Sequence, residues 1–529
     1  MKVLLIRPRS SSVGKQHWNH LWDQPTMLSL TGRSYIAPPL GLVTLAAATP
    51  EDVEVSIADE NLSPVSFDVE ADLVGITSMT SSVGEAYRIA DGFRQKGRKV
   101  VLGGFHVSYN VEEALLHADA VAVGEADRTW PVILADAANG HLQPVYRDDE
   151  PLDLETLKLP RWDLIRHKAY AYHQIQITRG CPHNCSFCCV HELFGRRSRH
   201  RKIEDVVAEL QMLSKIERKL VFICDDNLLV NRRFADELLD AIRPLGINWH
   251  CQTSLEISRD GSLLDRMAES GCKAVFVGME TLDETSLDLA GKRFNRVVSY
   301  KEAVDSIQAR GIAVLASFIV GLPGESPSNI QRIADFVQTA KPLGVMLNIF
   351  TPLPGTRSAA EADKDGRILT RNWSQYDARH AVSSPGTMTA EEVESAFDNL
   401  NREVFAWDAL LDRFRFFVTR RNRNQLHSNH RRKKASLLKA MAIIARVGGN
   451  IAVNGDWMAA GFAWKLLTMS LKGESHLSQS IAMLVQGIDW NRYAKNLSNR
   501  PIEEMTPFKS NLDHSRLKAQ DFTHSGVGR

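Results

Sequence analysis

The stretch that decides the fold is Gln174-Ile-Gln-Ile-Thr-Arg-Gly-Cys-Pro-His-Asn-Cys-Ser-Phe-Cys188, a short strand-like run opening directly into three cysteines. Cys181, Cys185 and Cys188 are separated by three and then two residues. Thiolates this close can share one metal centre, because a loop of this length curls around a cluster. Zinc is the rival reading, but a structural zinc site takes four closed ligands, usually as two separated pairs. Here the fourth cysteine, Cys189, adjoins Cys188 and is poorly placed to reach the same ion. Three protein ligands leave one iron open, as a substrate-activating cluster requires. Buried cysteines without a metal are the remaining alternative.

Outward from this motif, Leu220–Ile223, Trp249–Gln252, Ala274–Val277, Val314–Val320 and Val345–Phe350 read as further strands. Most are followed by helical stretches, such as Ile203–Ile216 and Phe234–Ile242. Six such units predict a partial (β/α)6 barrel over residues 173–389, with function on the loops after the strands. Upstream, Val3–Ile6, Val53–Ile57, Leu73–Ile76, Val100–Leu102 and Ala120–Val123 each read as a buried parallel strand. Helical spacing fills Pro39–Ala48, Gly84–Gln95 and Val111–His117. Residues 1–149 are therefore predicted as a Rossmann-like α/β domain, with a ligand crevice formed by Asp59–Leu62, Thr77–Ser82, Gly103–His106 and Gly124–Asp127. Residues 150–172, rich in acids and proline, read as a linker. Strand-like runs vanish from 390, which predicts a helical region over 390–506 and a polar tail over 507–529.

Bulk properties agree with an intracellular multidomain chain. At 529 residues it suits two or three domains, and its 44% apolar content excludes wholesale disorder. With 64 basic and 63 acidic residues, no global charge points to nucleic acid or a membrane surface. Four of the seven cysteines lie between Cys181 and Cys189, unlike a secreted disulfide framework. The N-terminal run Val3–Ile6 is too short for a signal-peptide core, and no run of about eighteen uncharged apolar residues occurs. A reducing, cytoplasmic setting is expected.

The cysteine motif closely resembles that of the radical S-adenosylmethionine (SAM) superfamily. That resemblance implies a [4Fe–4S] cluster on Cys181, Cys185 and Cys188, with SAM chelating the fourth iron, and the backbone of Phe187 near the adenine. Phe222-Ile-Cys-Asp-Asp-Asn227 resembles the second-strand motif near the SAM amino group, which makes Asp225 or Asp226 its contact. Val277-Gly-Met-Glu280 resembles the fourth-strand motif, with Gly278 and Glu280 as SAM-site residues. Ile319-Val-Gly-Leu-Pro-Gly-Glu325 resembles the fifth-strand motif, with Gly321 and Gly324 under the cofactor, and Pro352–Thr356 resembles the sixth-strand ending. The Gly-Gly-Glu triplet of many relatives is absent. The methylthio-transferring branch is disfavoured, since no cysteine precedes Cys181.

The N-terminal region resembles the cobalamin-binding domain of one large branch of the superfamily, through Pro38–Leu42, Asp59-Glu-Asn61, Ile76–Ser78, Gly103–His106 and Gly124–Asp127. The resemblance implies cobalamin contacts at Asp59, Asn61, Thr77, Ser78, Gly103, Gly104, Gly124 and Glu125. Paired glycines let backbone approach a bulky nucleotide tail, and the hydroxyls can bond it. A Rossmann-like domain for another ligand is the alternative. The Asp-x-His-x-x-Gly motif that ligates cobalt is missing: Asp59-Glu-Asn61-Leu-Ser-Pro64 has no histidine, and His106 reads as an ordinary polar residue. Such a cobalt would have a weak or absent lower ligand.

What the resemblance implies is a 5′-deoxyadenosyl radical that takes hydrogen from an unactivated carbon, followed by methylation from methylcobalamin. Cobalamin-dependent oxidation, cyclisation or rearrangement, and a non-catalytic metal-binding scaffold, are the competing functions. No side chain declares itself as a general acid or base. The layout resembles the hopanoid-methylase type, as in Phe194-Gly-Arg-Arg197, which points to a small-molecule, lipid or natural-product substrate. A reductase or flavodoxin-type electron donor is an implied partner. Basic residues crowd Arg413, Arg415, Arg420, Arg421, Arg423 and Arg431–Lys434, ahead of the largely apolar Ala435–Leu471. This fits peripheral docking on an anionic membrane; a solvated helix packed on the barrel is the alternative. Nucleic-acid binding is not expected, because aromatics are scarce among the charges.

Overall fold

The computed structural model describes residues 1–9, 25–297, 299–425, 449 and 456–497. Arg431–Lys434, Lys439 and Arg446, together with the polar tail, lie outside the described residues.

Two parallel sheets organise the chain. The first holds β1 (Lys2–Arg7), β2 (Glu54–Asp59), β3 (Leu73–Thr77), β4 (Lys99–Gly103), β5 (Ala120–Val123) and β6 (Val145–Arg147) in the order β2-β1-β3-β4-β5-β6. Every neighbouring pair is parallel. Leu5, Ile6, Leu73, Val100, Leu102 and Val121 are fully buried, because helices cover both faces of the central strands, whereas the edge strand β2 exposes Glu54 and Ser56. The chain runs from β1 out to β2 and returns to β3 on the other side of β1. That reversal opens a crevice at the carboxyl ends of β1 and β3.

Sequence patterning missed β6, whose three residues are too short to show alternation. It also missed the helix Thr129–Ala138, whose Pro131 reads as a breaker although the first turn of a helix tolerates it. That helix is anchored by Trp130, fully buried, whose indole N–H donates to the Thr49 hydroxyl at 3.0 Å.

The second sheet begins at β7 (His173–Ile175). A two-stranded antiparallel ribbon of β8 (Thr178–Arg179) and β9 (Arg199–His200) follows and brackets the cysteine loop. Then come β10 (Leu220–Ile223), β11 (Asn248–Thr253), β12 (Cys272–Glu280), β13 (Ala313–Val320) and β14 (Gly344–Ile349). The order β7-β10-β11-β12-β13-β14 is sequential and all parallel, with β7 and β14 as free edges: an open barrel. Val221, Ile223, Trp249, Cys251, Val275 and Val277 pack against helices such as Ile203–Ile216 and Arg232–Ile242.

The C-terminal region is helical. Its described helices are Ala390–Val404, Trp407–Gln425, Trp457–Leu471 and Leu477–Asn496. The first starts with a capping box between Thr389 and Glu392. The last packs on the N-terminal helix Pro25–Thr31: the Asp489 carboxylate accepts from the amides of Thr26 and Met27 at 2.9 and 3.0 Å. Trp490 lies beside Gly344, at the amino end of β14. One sequence expectation is corrected here. Arg413, counted among surface cations, is only 2% exposed and donates to the Val404 carbonyl at 2.7 Å; burial pushes its pKa down to about 10. It belongs to the helical core.

Candidate functional site

The cysteine loop leaves β8 and is held from three sides. Gly180 has φ +92°, and a Cβ there would sit 2.4 Å from the Arg197 carbonyl oxygen, so the turn admits only glycine. The Cys181 amide donates to Gly195 at 3.3 Å, which explains why Phe194–Arg197 follows the motif so closely. The Ser186 amide donates to Ala290, and the Ser358 amide donates to Ser186, both at 2.9 Å. Cys185 is buried, and Cys181, Cys188 and Cys189 are half-buried. Burial raises all four thiols, Cys185 and Cys189 each to about 11. Thiols in such surroundings ionise when a cation stabilises the thiolate, as iron does. Among the described residues no three His, Cys, Asp or Glu side chains gather as a single ion requires. A four-iron cluster asks for a different arrangement, because its three cysteines each ligate a separate iron. The donor set fits the cluster.

The structure separates the two aspartates that the motif offered together. Asp225, after β10, is fully buried, and its oxygens accept from the amides of Ile177 and Thr178, both at 2.7 Å. It pins the strand that feeds the cysteine loop, with both oxygens bonded to backbone and no exposed surface. Asp226 keeps a buried Oδ2 with no partner, and burial pushes its pKa up to about 6. An orphaned buried carboxylate oxygen is what a ligand ammonium would satisfy, so of the two it is Asp226 that fits SAM.

Glu280 stands at a register shift in β12 with φ +64° and is ion-paired with buried Lys292. Lys292 also donates to the Gly278 carbonyl at 3.0 Å, so Glu280 and Gly278 are tied to one another through it. Glu325 is fully buried, accepting from the Gly321 amide at 2.7 Å and the Thr281 hydroxyl at 2.8 Å. It ties down the Gly321–Gly324 turn, and burial raises its pKa to about 7. Phe187 is half-buried within the loop. On the face of the sheet turned from these helices, Phe222 and His250 stack at 4.7 Å, with Phe276 and Tyr172 within 6.0 Å of that pair. Burial lowers the pKa of His250 to about 4, so it is neutral.

In the N-terminal crevice, Gly104 has φ +101°, and a Cβ there would lie 2.6 Å from the Ser78 carbonyl oxygen and 2.9 Å from Thr77 Oγ1. That glycine is therefore required by chain packing. Ser78 is buried, and its amide donates to Gly103 at 2.9 Å. Gly103 and Gly124 face no crowding: a Cβ on Gly103 would meet nothing nearer than 3.8 Å, and one on Gly124 nothing within 4 Å. Nearby Thr80 Oγ1 is buried without a partner. Open glycine backbone beside an unpaired hydroxyl at a topological switch fits a bulky polar cofactor such as cobalamin. His106 is fully buried, with Nε2 3.4 Å from Glu113 and its ring against Trp373.

Two acids expected at cobalamin have other partners. Asp59 accepts from Arg7, from Tyr170 at 2.7 Å and from the Asn61 amide and side chain, so its oxygens are occupied. Asn61 is part of that same cluster. Glu125 joins the two sheets, accepting from Arg179 at 3.1 Å and from both terminal nitrogens of Arg199 at 2.9 and 3.0 Å. Asp127 adds a 2.7 Å bond to Arg179. Arg179 lies two residues before the first cluster cysteine, so the carboxyl end of β5 is fastened to the base of the cysteine loop. Close by, the Tyr109 ring packs on Gly355, and burial raises its hydroxyl to about 12. Arg179, Arg199, Lys292 and Tyr109 were not legible as site residues; only the position of Arg179 next to the motif offered a signal.

Comparison with known proteins gives this geometry a family. The model of the radical SAM superfamily matches residues 175–337, and that of the B12-binding domain matches residues 30–134. The bacteriochlorophyllide d C-8(2)-methyltransferase of Chlorobaculum tepidum is 30% identical over 65% of this chain and 80% of its own. The hopanoid C-2 methylase of Rhodopseudomonas palustris is 26% identical over 81% of this chain and 82% of its own. The radical SAM methyltransferase TsrM of Kitasatospora setae, solved with cobalamin and a [4Fe–4S] cluster, shares the fold at TM-score 0.58 and 16% identity, over 80% of this chain and 99% of that one.

Proposed function

The chain belongs to the cobalamin-binding branch of the radical SAM enzymes, and from that premise we propose that it C-methylates an unactivated carbon of an apolar small molecule, of lipid or natural-product type. The observation that carries this reading is the Arg179–Glu125–Asp127–Arg199 cluster, which fastens the carboxyl ends of both sheets to each other. Methyl transfer to a substrate radical needs both cofactor-bearing edges on one crevice, and this clamp holds them there.

When bound, the cluster with SAM supplies a hydrogen-abstracting radical, and cobalamin supplies a transferable methyl group. The protein's own groups bind and orient. Cys181, Cys185 and Cys188 hold the iron, the free oxygen of Asp226 accepts the SAM ammonium, and the Gly321–Gly324 turn, braced by Glu325, offers backbone to the nucleoside. On the other side Gly103, Gly124 and the Thr77, Ser78 and Thr80 hydroxyls receive the cobalamin tail. The inner face of the barrel carries an uncharged aromatic cluster of Phe222, His250, Phe276 and Tyr172, beside the amides of Gln174 and Gln252, which suits a largely apolar substrate and a reaction without proton transfer. A one-electron donor of the flavodoxin or reductase class completes the scheme. The two relatives reported above are named for a bacteriochlorophyllide and a hopanoid, which favours a large natural-product or lipid skeleton and does not choose within that class.

Anaerobic reconstitution with iron, sulfide and hydroxocobalamin, followed by SAM and a strong reductant, tests the proposal. Formation of both 5′-deoxyadenosine and S-adenosylhomocysteine, absent in Cys185→Ala and retained in Cys189→Ala, is the expected result. Deoxyadenosine alone, with cobalamin bound and candidate apolar substrates present, would replace methylation by a non-methylating radical reaction.

A further inference from the structure

The helix Trp457–Leu471 is apolar on both faces. Ala459, Phe462, Leu466 and Met469 recur at helical spacing and are buried against the helices Trp407–Gln425 and Leu477–Asn496. A surface helix ordinarily sets charged and polar groups opposite such a stripe. Here the opposite face carries Trp457, Trp464 and Leu471, exposed by 82, 65 and 76%, and Met458, 64% exposed, stands to one side of it in the first turn. Trp457, Trp464 and Leu471 recur every seven residues and so fall close to one line along the helix. Lys465 and Lys472, both exposed, border that line; Lys465 reaches Asp408 at 2.9 Å, in a pair that stays open to solvent. Single exposed apolar residues are ordinary, but three in line on one helix face, two of them tryptophans, with Met458 beside them, mark a surface that something covers.

Charge decides what covers it. Between Phe414 and Lys472 the sequence has twelve basic residues and one acid, Asp456: a net charge of +11, against −10 for the rest of the chain. A second copy of the chain would bring two such regions together, and like charges oppose that pairing. A nucleic acid would match the charge, but Met458 and Leu471 gain nothing from stacked bases. A lipid surface uses every feature at once. Tryptophan favours the headgroup level, leucine and methionine favour the acyl boundary, and lysines snorkel to the phosphates.

We propose that the outer face of Trp457–Leu471 docks the enzyme on an anionic membrane. The acid-poor basic region supplies long-range attraction, and Trp457, Met458, Trp464 and Leu471 supply the interfacial contact. Among the described residues no helix is long and apolar enough to cross a membrane, so the docking is peripheral. The inference stands apart from the proposed reaction: losing it leaves methylation untouched.

The test is co-sedimentation of the full-length reconstituted protein with phosphatidylcholine vesicles, with and without phosphatidylglycerol, at low and high salt. The protein is expected to sediment with the anionic vesicles only, and less at high salt. Trp464→Ala/Leu471→Ala should weaken binding at least about tenfold while cluster absorbance and the thermal midpoint stay as in the wild type. Lys465→Glu/Lys472→Glu should weaken it further at low salt than at high salt. Leu369→Ala, at an exposed leucine elsewhere, should bind as the wild type does. Failure of the wild type to sediment overturns the proposal, as does undiminished binding by Trp464→Ala/Leu471→Ala. So does lipid-independent self-association that this variant abolishes, which would make the face an interface between copies, or binding displaced by oligonucleotide in preference to lipid.

Discussion

Replacing Glu125 with alanine asks how firmly charge fastens the two sheets together. Glu125 is bonded to both terminal nitrogens of Arg199 at 2.9 and 3.0 Å and to Arg179 at 3.1 Å, and the two guanidinium side chains are only 11% and 8% exposed. Leaving a buried charge unpaired costs about 3–5 kcal/mol. The loss should fall at the lower end, about 3 kcal/mol, because Arg199 keeps the Leu152 and Phe194 carbonyls and Arg179 keeps Asp127 at 2.7 Å. In a unit of this size that lowers the unfolding midpoint by about 6–12 °C. Thermal unfolding of the reconstituted protein would be followed by circular dichroism and by cluster absorbance, and the cluster signal should fall first. Arg199→Ala should behave similarly, and the double variant should lose less than the sum by about 1–3 kcal/mol. A midpoint within about 1 °C of wild type, or strictly additive losses, would refute the clamp.

Three shorter predictions follow from the same geometry. Asp225→Asn should lose iron, since an amide nitrogen would face a backbone N–H at a cost of about 1–3 kcal/mol; Asp226→Asn should keep iron and bind SAM at least about tenfold more weakly. Iron analysis and equilibrium dialysis would expose the reverse pattern. Gly104→Ala should destabilise the N-terminal domain by about 2 kcal/mol or more, given its φ of +101° and a 2.6 Å approach to Ser78, whereas Gly103→Ala should leave the melting curve unchanged. Loss of bound cobalamin in Gly103→Ala would put the cofactor over that residue, and full retention would move it elsewhere. Glu325, raised to about 7 in the folded chain, contributes stability that is complete at low pH and fades as pH rises through that value. Glu325→Gln should therefore flatten the decline in unfolding midpoint between about pH 5 and pH 8, and an unchanged slope would count against a buried ionisable group there.

The strands were legible because burial on both faces leaves unbroken apolar runs, such as Val3–Ile6 and Ala120–Val123, that water-facing strands do not show. The three-cysteine loop stood out because metal ligation would fix its spacing within one loop. The acids were harder to read. Asp59, Glu125, Asp225, Glu280 and Glu325 all stand at strand ends where ligands bind, and sequence shows position without showing partners. Their partners Arg7, Lys292 and Arg199 lie 52, 12 and 74 residues away along the chain and carry no motif. Only the packed chain shows that these carboxylates serve the scaffold and that Asp226, next to one of them, does not.

This division has a chemical consequence. A radical that abstracts hydrogen from carbon needs no acid or base at the reacting atom, but it must be kept from water and from oxidisable or ionic neighbours. A site of that kind would be expected to neutralise its acids against its own backbone and arginines, and to present amides, glycine backbone and aromatic rings to its ligands. The carboxyl ends of the two sheets have their acids so neutralised: Asp59, Glu125, Asp225, Glu280 and Glu325 are all occupied by protein donors, and within the barrel His250 is held neutral against Phe222. Selectivity among apolar substrates then has to come from the shape of the aromatic inner face of the barrel. Substitutions at Phe222, His250 and Phe276 should therefore redistribute which substrates are methylated before they alter SAM cleavage, a separation that product analysis across a panel of apolar acceptors would resolve.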